Sequence, residues 1–590
     1  IMPDSLPNWD LTDLYDEKGK DARVDLKKVR ARAEKLAAYN GKLEAEKAET
    51  LSAIIAEYQS ISELLSRIIS HADLKFAADM SEAANGQYAQ DMREAAAEIT
   101  SKLLFVELEL ATLKEERYQE ALAHSAFYHF EPWLRRLREG ACYQLEPRLE
   151  QMLVERAPSG RGAWTRLFDE TSAALKFPFQ GGEVSEAEIL NQLTDKSPDI
   201  RKEAGHSLSG VMAENRRLFA LILNVIAKDK EVDDRWRGFK RPVSSRNLAN
   251  DVDDKTVDAL SDAVNARTGD IAHRYYQLKA GWMGVKKLNW WDRNAPLAGD
   301  DDRRFSWEQA ADIVLQAFDD FDPEMAKIAK QFFDKGWIDA GVRTGKASGA
   351  FSHPTVPSVH PYILMNYDGR ARDVMTLAHE MGHGVHQVLA AHNGYLMSDT
   401  PLTLAETASV FSEMLAFRVL LDSTDNPENR RFLLAGKVED MLNTVVRQIA
   451  FHNFETVFHD ARRKGEVSAE QLSDIWMDTQ SSALGPGVNL DDSYRSVWAY
   501  IPHFVHSPFY VYAYAFGDCL VNALWQSYQN SSAEKRPQFV SDYRGLLAAG
   551  GTVRYDSGLC PFGLDATKPE FWHLGLDMVA SMIDELESLS

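Results

Sequence analysis

Cysteine is scarce in this chain: Cys142, Cys519 and Cys560 are the only three in 590 residues, odd in number and far apart. That spacing excludes a disulfide framework and a cysteine-rich metal site, both of which need paired or closely set thiols. The three read as incidental thiols of a reducing compartment. A basic block is also missing, since 66 Lys and Arg stand against 89 Asp and Glu, a formal charge of −23. Nucleic acid is therefore not an expected partner, because phosphate neutralisation requires clustered cations. Long apolar runs are missing too. The most apolar stretches are Leu218–Ala227, too short to span a bilayer, and Tyr500–Trp525, which is interrupted by Pro502, His503, His506, Pro508 and Asp518. No membrane segment is expected. The first thirty residues hold several acidic side chains and no apolar run of signal-peptide length, so a cytoplasmic location is expected.

What is present is ordinary globular composition, with 45% hydrophobic and 26% charged residues, which excludes a disordered or low-complexity chain. The length allows several domain-sized units or one large two-lobed enzyme able to bury a deep site. From about Lys20 to Glu155 apolar residues recur at three and four, as in Leu51, Ile54, Ile55, Tyr58, Ile61 and Leu65, which predicts helices. Turn formers cluster at Ala157–Gly162 and at Phe177–Gly182, placing a boundary near residue 190 and dividing the chain into 1–190 and 191–590. Helical periodicity resumes at Glu186, with loops near 240–255, 284–304 and 340–372. One segment favours β structure, His360–Tyr367, and reads either as a short buried strand or as an edge strand able to pair with an extended ligand.

The informative segment is Asp373–Leu389, which contains His379-Glu380-Met381-Gly382-His383. On a helix, histidines four apart project from one side, so their imidazoles can converge on one metal ion. The apolar residues Val374, Leu377, Met381, Val385, Val388 and Leu389 form a stripe roughly opposite His379, His383 and His386, and Gly394 is a plausible stop. Such a motif also arises by chance. It is strengthened by Glu406, 27 residues past His379, because a catalytic zinc site commonly takes two His and one Glu. Glu406 has a competing role, closing a capping box with Thr403. Glu413, two turns on, is placed either to accept from a ligating imidazole or to face solvent. His386 would be a surplus fourth nitrogen and reads as a supporting or substrate-facing group. Glu380, beside the histidines but out of line with them, suits a general base. A further segment, Ile501–Tyr514, brings His503, His506, Tyr510, Tyr512 and Tyr514 together; dense aromatics usually mean core, yet their N–H and O–H groups could stabilise an oxyanion.

These residues resemble a known family. Met375–His386, then Pro401–Ser409, Ile501–Phe504 and Phe509–Tyr512, with Lys176–Phe179 and Phe571-Trp572, are similar in order and spacing to oligoendopeptidase F, a relative of thimet oligopeptidase. The resemblance covers most of the chain. It implies a mainly α fold, a two-lobed helical metallopeptidase with a deep substrate channel and a small β-sheet near the active site, in which 1–190 forms an N-terminal helical lobe and 191–590 the catalytic region. It further implies one Zn2+ per chain held by His379, His383 and Glu406, Glu380 as base, and cleavage of short unfolded oligopeptides inside cells. His503 and Tyr512, with Tyr510 nearby, are the implied transition-state donors, and Ser348–Tyr367, including Ser348, Gly349 and His360, the part that holds peptide backbone. The family places a Tyr soon after the position of His503, whereas Val505 and His506 follow here, leaving open which of His503, His506, Tyr510 and Tyr512 meets the oxyanion. A peptidyl-dipeptidase or carboxypeptidase of related fold and an inactive peptide-binding relative are the alternatives. Oligomeric state is not legible.

Overall fold

The computed structural model describes residues 6–157, 159–297, 303–347 and 349–589. It is mainly α-helical, with three small sheets among the described residues. The chain divides into two compact units, each drawn from three stretches: unit 1 from Ile1–Cys142, Asp302–Ser423 and Ser531–Gly563, and unit 2 from Tyr143–Asp301, Thr424–Asn530 and Leu564–Ser590.

In unit 1 the periodicity of the N-terminal region becomes the helices Lys20–Leu36, Ala48–Ala78 and Ala83–Ala111. Leu51, Ile54, Ile55, Tyr58, Ile61 and Leu65 are all buried, in one core with Ile99, Leu103, Val106 and Leu110. Each such side chain contributes about 1.5–3 kcal/mol relative to exposure, which is why this stripe stays helical. The end of Ala48–Ala78 anchors the segment that follows residue 340, for the Ala347 N–H donates to the Ala77 carbonyl at 2.8 Å and Arg343 to the Ala78 carbonyl at 3.0 Å. That segment leads into a three-stranded sheet. Tyr362–Leu364 is its buried centre, parallel to Ile338–Asp339 and antiparallel to Phe351–His353, with Ser352 opposite Ile363. Of the two readings of His360–Tyr367, the buried strand is the one adopted, and the two edge positions fall to Ile338–Asp339 and Phe351–His353. The strand stops at Leu364 because Asn366 turns its amide to the carbonyls of Ala347 and Gly349, both at 3.0 Å.

Two helices capped at their starts, Trp307–Phe321 by Ser306 with Gln309 and Pro323–Asp334 by Asp322, pack with the helix Ala371–Ala390. Ala371–Ala390 is the predicted histidine helix, longer by a residue or two at each end; a single 3-10 turn, Ala391–Asn393, then leads to Gly394, whose φ of +81° breaks the direction of the chain. Its main neighbour is Thr407–Asp422, held in turn by the Tyr543 hydroxyl, which donates to the Thr407 carbonyl at 2.8 Å.

Unit 2 is built on the 40-residue helix Pro198–Arg237 and on Val446–Lys464, Ala469–Leu484, Tyr512–Asn530 and Pro569–Ser588. The turn formers at Phe177–Gly182 make more than a turn: Phe177–Phe179 pairs with Gly182–Val184 as a hairpin, with Gln180 and Gly181 at positive φ. Pro178 hides this strand from pattern reading, yet a two-stranded ribbon has an edge that tolerates proline. The loop expected at 240–255 contains the helix Ser244–Ala249, stabilised by Ser244 and Asn247 donating to Asp254.

Candidate metal centre

The helix Ala371–Ala390 begins where Asp373 accepts the backbone N–H groups of Asp368 and Arg370, both at 3.0 Å, so that the four-residue spacing of its histidines is set by a well-capped helix. His379 and His383 stand one above the other with ring centroids 5.0 Å apart. The stripe Val374, Leu377, Met381 and Val385 is fully buried. Burial continues round the helix to Glu380 and His386. Gly382 lets the second helix in: a Cβ there would lie 2.5 Å from the Ala408 carbonyl oxygen and 2.7 Å from the Ser409 Cα.

That close approach brings Glu406 to the histidines. The chain makes one turn at Leu402–Ala405 and restarts at Thr407, with Glu406 between. Its carboxylate does not cap the second helix. Glu406 Oε2 instead lies 3.5 Å from Nε2 of His379 and 3.5 Å from Nε2 of His383, and accepts a hydrogen bond from Ser409 Oγ at 2.6 Å. Among the described residues these three form the one His/Cys/Asp/Glu group whose donor atoms all lie within 4.8 Å of one another. The spacing fits an ion: a tetrahedral centre with bonds of about 2.1 Å puts its donors about 3.4 Å apart. Two imidazoles and one carboxylate also leave one corner of a tetrahedron free.

Glu413 Oε2 accepts from Nδ1 of His379 at 3.3 Å, which holds the proton on Nδ1 and leaves the Nε2 lone pair facing Glu406 and His383. Burial works against a charged His379, but the Glu413 hydrogen bond and the carboxylates of Glu406, Glu413 and Glu380 outweigh it, so its pKa is raised. His383 is pushed down, by burial first and by the charge of its neighbour His379. Cation binding there would require the Nε2 atoms of both histidines to be free of protons. Glu380, 7% exposed, is pushed up to about 7, chiefly by burial and further by Glu406, while His379 and the backbone N–H of Ser352 oppose the shift.

Residues 191–578 match the model of peptidase family M3, and residues 109–177 match a second model described as oligopeptidase F. The chain belongs to peptidase family M3. Members of that family are metallopeptidases. Among curated relatives, oligopeptidase PepF of Bacillus subtilis (strain 168) is 25% identical over 595 residues, covering 98% of this chain and 87% of that one. An oligoendopeptidase F homolog of Lactococcus lactis subsp. lactis is 24% identical, covering 98% and 97%. Among solved structures, oligoendopeptidase-F from Enterococcus faecium superposes with a TM-score of 0.69 at 20% identity over 97% of this chain and 99% of that one. A protein of Chlamydophila abortus does so with a TM-score of 0.89 at 22% identity over 99% and 98%. The shared fold thus runs through nearly the whole chain.

The remaining predicted residues of this M3 chain are dispersed. His386 is buried, its Nε2 3.2 Å from the Thr400 hydroxyl and its ring hydrogen-bonded to the Leu547 backbone; burial pushes it down to about 4. His360 stacks on Trp337 at 3.7 Å, with its Nε2 2.9 Å from Asp13. Gly349 is exposed at φ +83°, and Ser348 lies outside the described residues. His503, His506, Tyr510 and Tyr512 belong to unit 2. Tyr512 is 0% exposed and its hydroxyl accepts from Asn250 at 2.8 Å; His506 Nε2 is 2.7 Å from Asp169. His503 Nε2 is 3.3 Å from the Tyr514 hydroxyl, and Tyr510 lies under Arg246, 5.7 Å from its ring centre. Sequence reading missed Ser409 and the pair Ser352–Gln387. Gln387 accepts from Ser352 Oγ at 2.9 Å and donates to the Ser352 carbonyl at 3.2 Å, and so fixes the strand residue whose N–H serves Glu380. The only signal for Gln387 was its place two turns beyond Glu380 on the same helix.

Proposed function

We propose that this chain is a zinc-dependent endopeptidase that hydrolyses short, unfolded oligopeptides. The observation that carries the reading is the convergence of His379, His383 and Glu406 beside a buried Glu380. His379 Nε2, His383 Nε2 and Glu406 Oε2 would hold the ion, and the nitrogen-rich donor set favours zinc over magnesium or calcium. When bound, the ion supplies Lewis-acid polarisation of a scissile carbonyl and lowers the pKa of water to about 7. Glu380 takes the proton from the attacking water and delivers it to the leaving amine; a carboxyl pushed up to about 7 is suited to both transfers near neutral pH. Glu413 keeps His379 in the tautomer that presents Nε2, and Gln387 with Ser352 keeps Glu380 in place. Phe351–His353, the edge strand whose Ser352 meets Gln387 and Glu380 of the histidine helix, is proposed to receive extended peptide backbone.

For the oxyanion we propose His503 or Tyr510, since the Tyr512 hydroxyl is buried on Asn250. The relatives' names, oligopeptidase and oligoendopeptidase, support both the substrate size and internal cleavage. The match of family M3 from residue 191 supports 191–590 as the catalytic region. A cytoplasmic location is proposed on the free thiols Cys142 and Cys560, both exposed; among the described residues no helix is long and apolar enough to cross a membrane. Mass spectrometry of peptides of increasing length, each prepared blocked at both ends and with a free C-terminus, with and without a chelator, tests the reading. Internal cleavage of short peptides that stops with chelator and returns with zinc is expected. Cleavage only of peptides with a free C-terminus would instead assign an exopeptidase, and none at all a binding protein.

A further inference from the structure

Unit 2 holds a partly open cavity with about 40 Å³ of free room, lined by Arg293, Arg447, Trp290, Trp291, Tyr494 and Tyr500 among others. A single water needs about 10–15 Å³, so this space takes about three waters or one small polyatomic ion. Two guanidinium groups line it and no carboxylate does. The nearby acids are engaged elsewhere. Asp292 accepts from Arg201 at 2.9 Å and from Asn289 at 3.2 Å, and Glu439 accepts from Lys279 and from the Tyr275 hydroxyl at 2.6 Å. Glu439 reaches Arg293 only at longer range.

Among the described residues the two arginines have neutral hydrogen-bond partners. Arg447 donates to the Tyr500 hydroxyl at 3.0 Å and lies 4.9 Å over the Phe451 ring. Arg293 hydrogen-bonds the Tyr494 hydroxyl, and its Nε is buried with no acceptor. A buried N–H without an acceptor is costly on a half-buried guanidinium too, and phenols return little of the lost hydration. Arginine exists in such walls to meet planar oxyanions. We propose that this cavity is a binding site for a small free carboxylate, held between Arg293 and Arg447 with the tryptophans closing it to larger acids.

The test is a titration of the metal-loaded, full-length chain with sodium formate, ionic strength being held with sodium gluconate, whose anion is too large for the cavity. A saturable change in tryptophan emission is expected, with a rise in Tm of about 1–3 °C at saturation. Both responses are expected to vanish in Arg293→Met and Arg447→Met. Asn294 also lines the cavity. Asn294→Asp places a carboxylate there from within and is expected to raise Tm without formate and to abolish the response to it. The proposal is overturned if the wild-type chain gives no saturable response, or if Asn294→Asp responds to formate as the wild type does. The second result decides even if the arginine variants do not fold.

Discussion

In unit 1 the helix Ala371–Ala390 sets two imidazoles side by side, 3.5 Å from one carboxylate oxygen, whereas in unit 2 the Ile501–Tyr514 segment gathers His503 and Tyr510 around Tyr514 but sends His506 to Asp169 and Tyr512 to Asn250. That second chain is irregular: a four-residue helix, His503–His506, then Phe509 at φ +61°, then the helix Tyr512–Asn530. Its backbone is held from several directions, by Arg161 on the His506 carbonyl, Arg246 on the Pro508 carbonyl and Glu455 on the Phe509 N–H. Spacing converts into geometry only where the backbone is regular. In a helix four residues mean one face, while in a strapped loop the spacing fixes no shared face, and His506 and Tyr512 go to partners far away in the chain.

The contrast can be tested by perturbing each side, beginning with the largest effect. Glu380→Gln keeps the shape of the histidine helix and removes the proposed base, so kcat/KM is expected to fall about 10³–10⁴-fold with metal content by elemental analysis unchanged. Activity within tenfold of wild type would remove Glu380 from the chemistry and leave the first region as no more than a metal-holding scaffold.

Gly382→Ala attacks the helix contact on which the regular region depends. The new methyl meets backbone at 2.5 and 2.7 Å, which no rotamer relieves, and a loss of about 1–3 kcal/mol is expected from the denaturation midpoint. An unchanged midpoint would mean that the close approach is not what seats Glu406. Glu413→Ala leaves the three donor side chains and frees the His379 tautomer, so metal affinity in a chelator competition is expected to drop about 10–100-fold. If affinity is unchanged, the Glu413 hydrogen bond is incidental.

Glu455→Gln probes the strapped loop through pH. Burial raises the Glu455 carboxyl to about 8 from the ordinary 4.5, with the Phe509 N–H opposing. Between those values the folded chain holds a proton that the unfolded chain releases, so stability contributed by this site falls as pH rises through that window. Glutamine has no such dependence and still accepts from Phe509. The variant's Tm advantage is expected to grow by about 1–3 °C from pH 5 to pH 8. A difference independent of pH would show that Glu455 is charged in the folded state and would make the loop's anchor an ionic one.

Much of the first region is legible in the sequence alone. The heptad-like stripe from Leu51 to Leu65, the histidine helix and the punctuation at Gly394 depend on local period and capping. Glu406 was readable as a candidate but not as a choice, since Thr403 offered it a capping role of comparable local energy. The approach of the two helices at Gly382 decides between them. Gln387 and Ser409 were not readable, because their partners come from a strand 35 residues upstream in one case and from an acid already given another candidate role in the other. The hairpin at Phe177–Val184 was masked by Pro178, and the placement of Tyr512 on Asn250 spans 262 residues.

By itself the chain order determined the helical class and the one-sided pair of histidines with a glutamate between them. These follow from composition and from a period of about 3.6 residues, both local. Only the tertiary structure decided which carboxylates meet those histidines, which strands lie at the edges of the sheet, and which phenols are buried. Each of these depends on contacts between residues far apart in the chain, where packing and burial outweigh local preference.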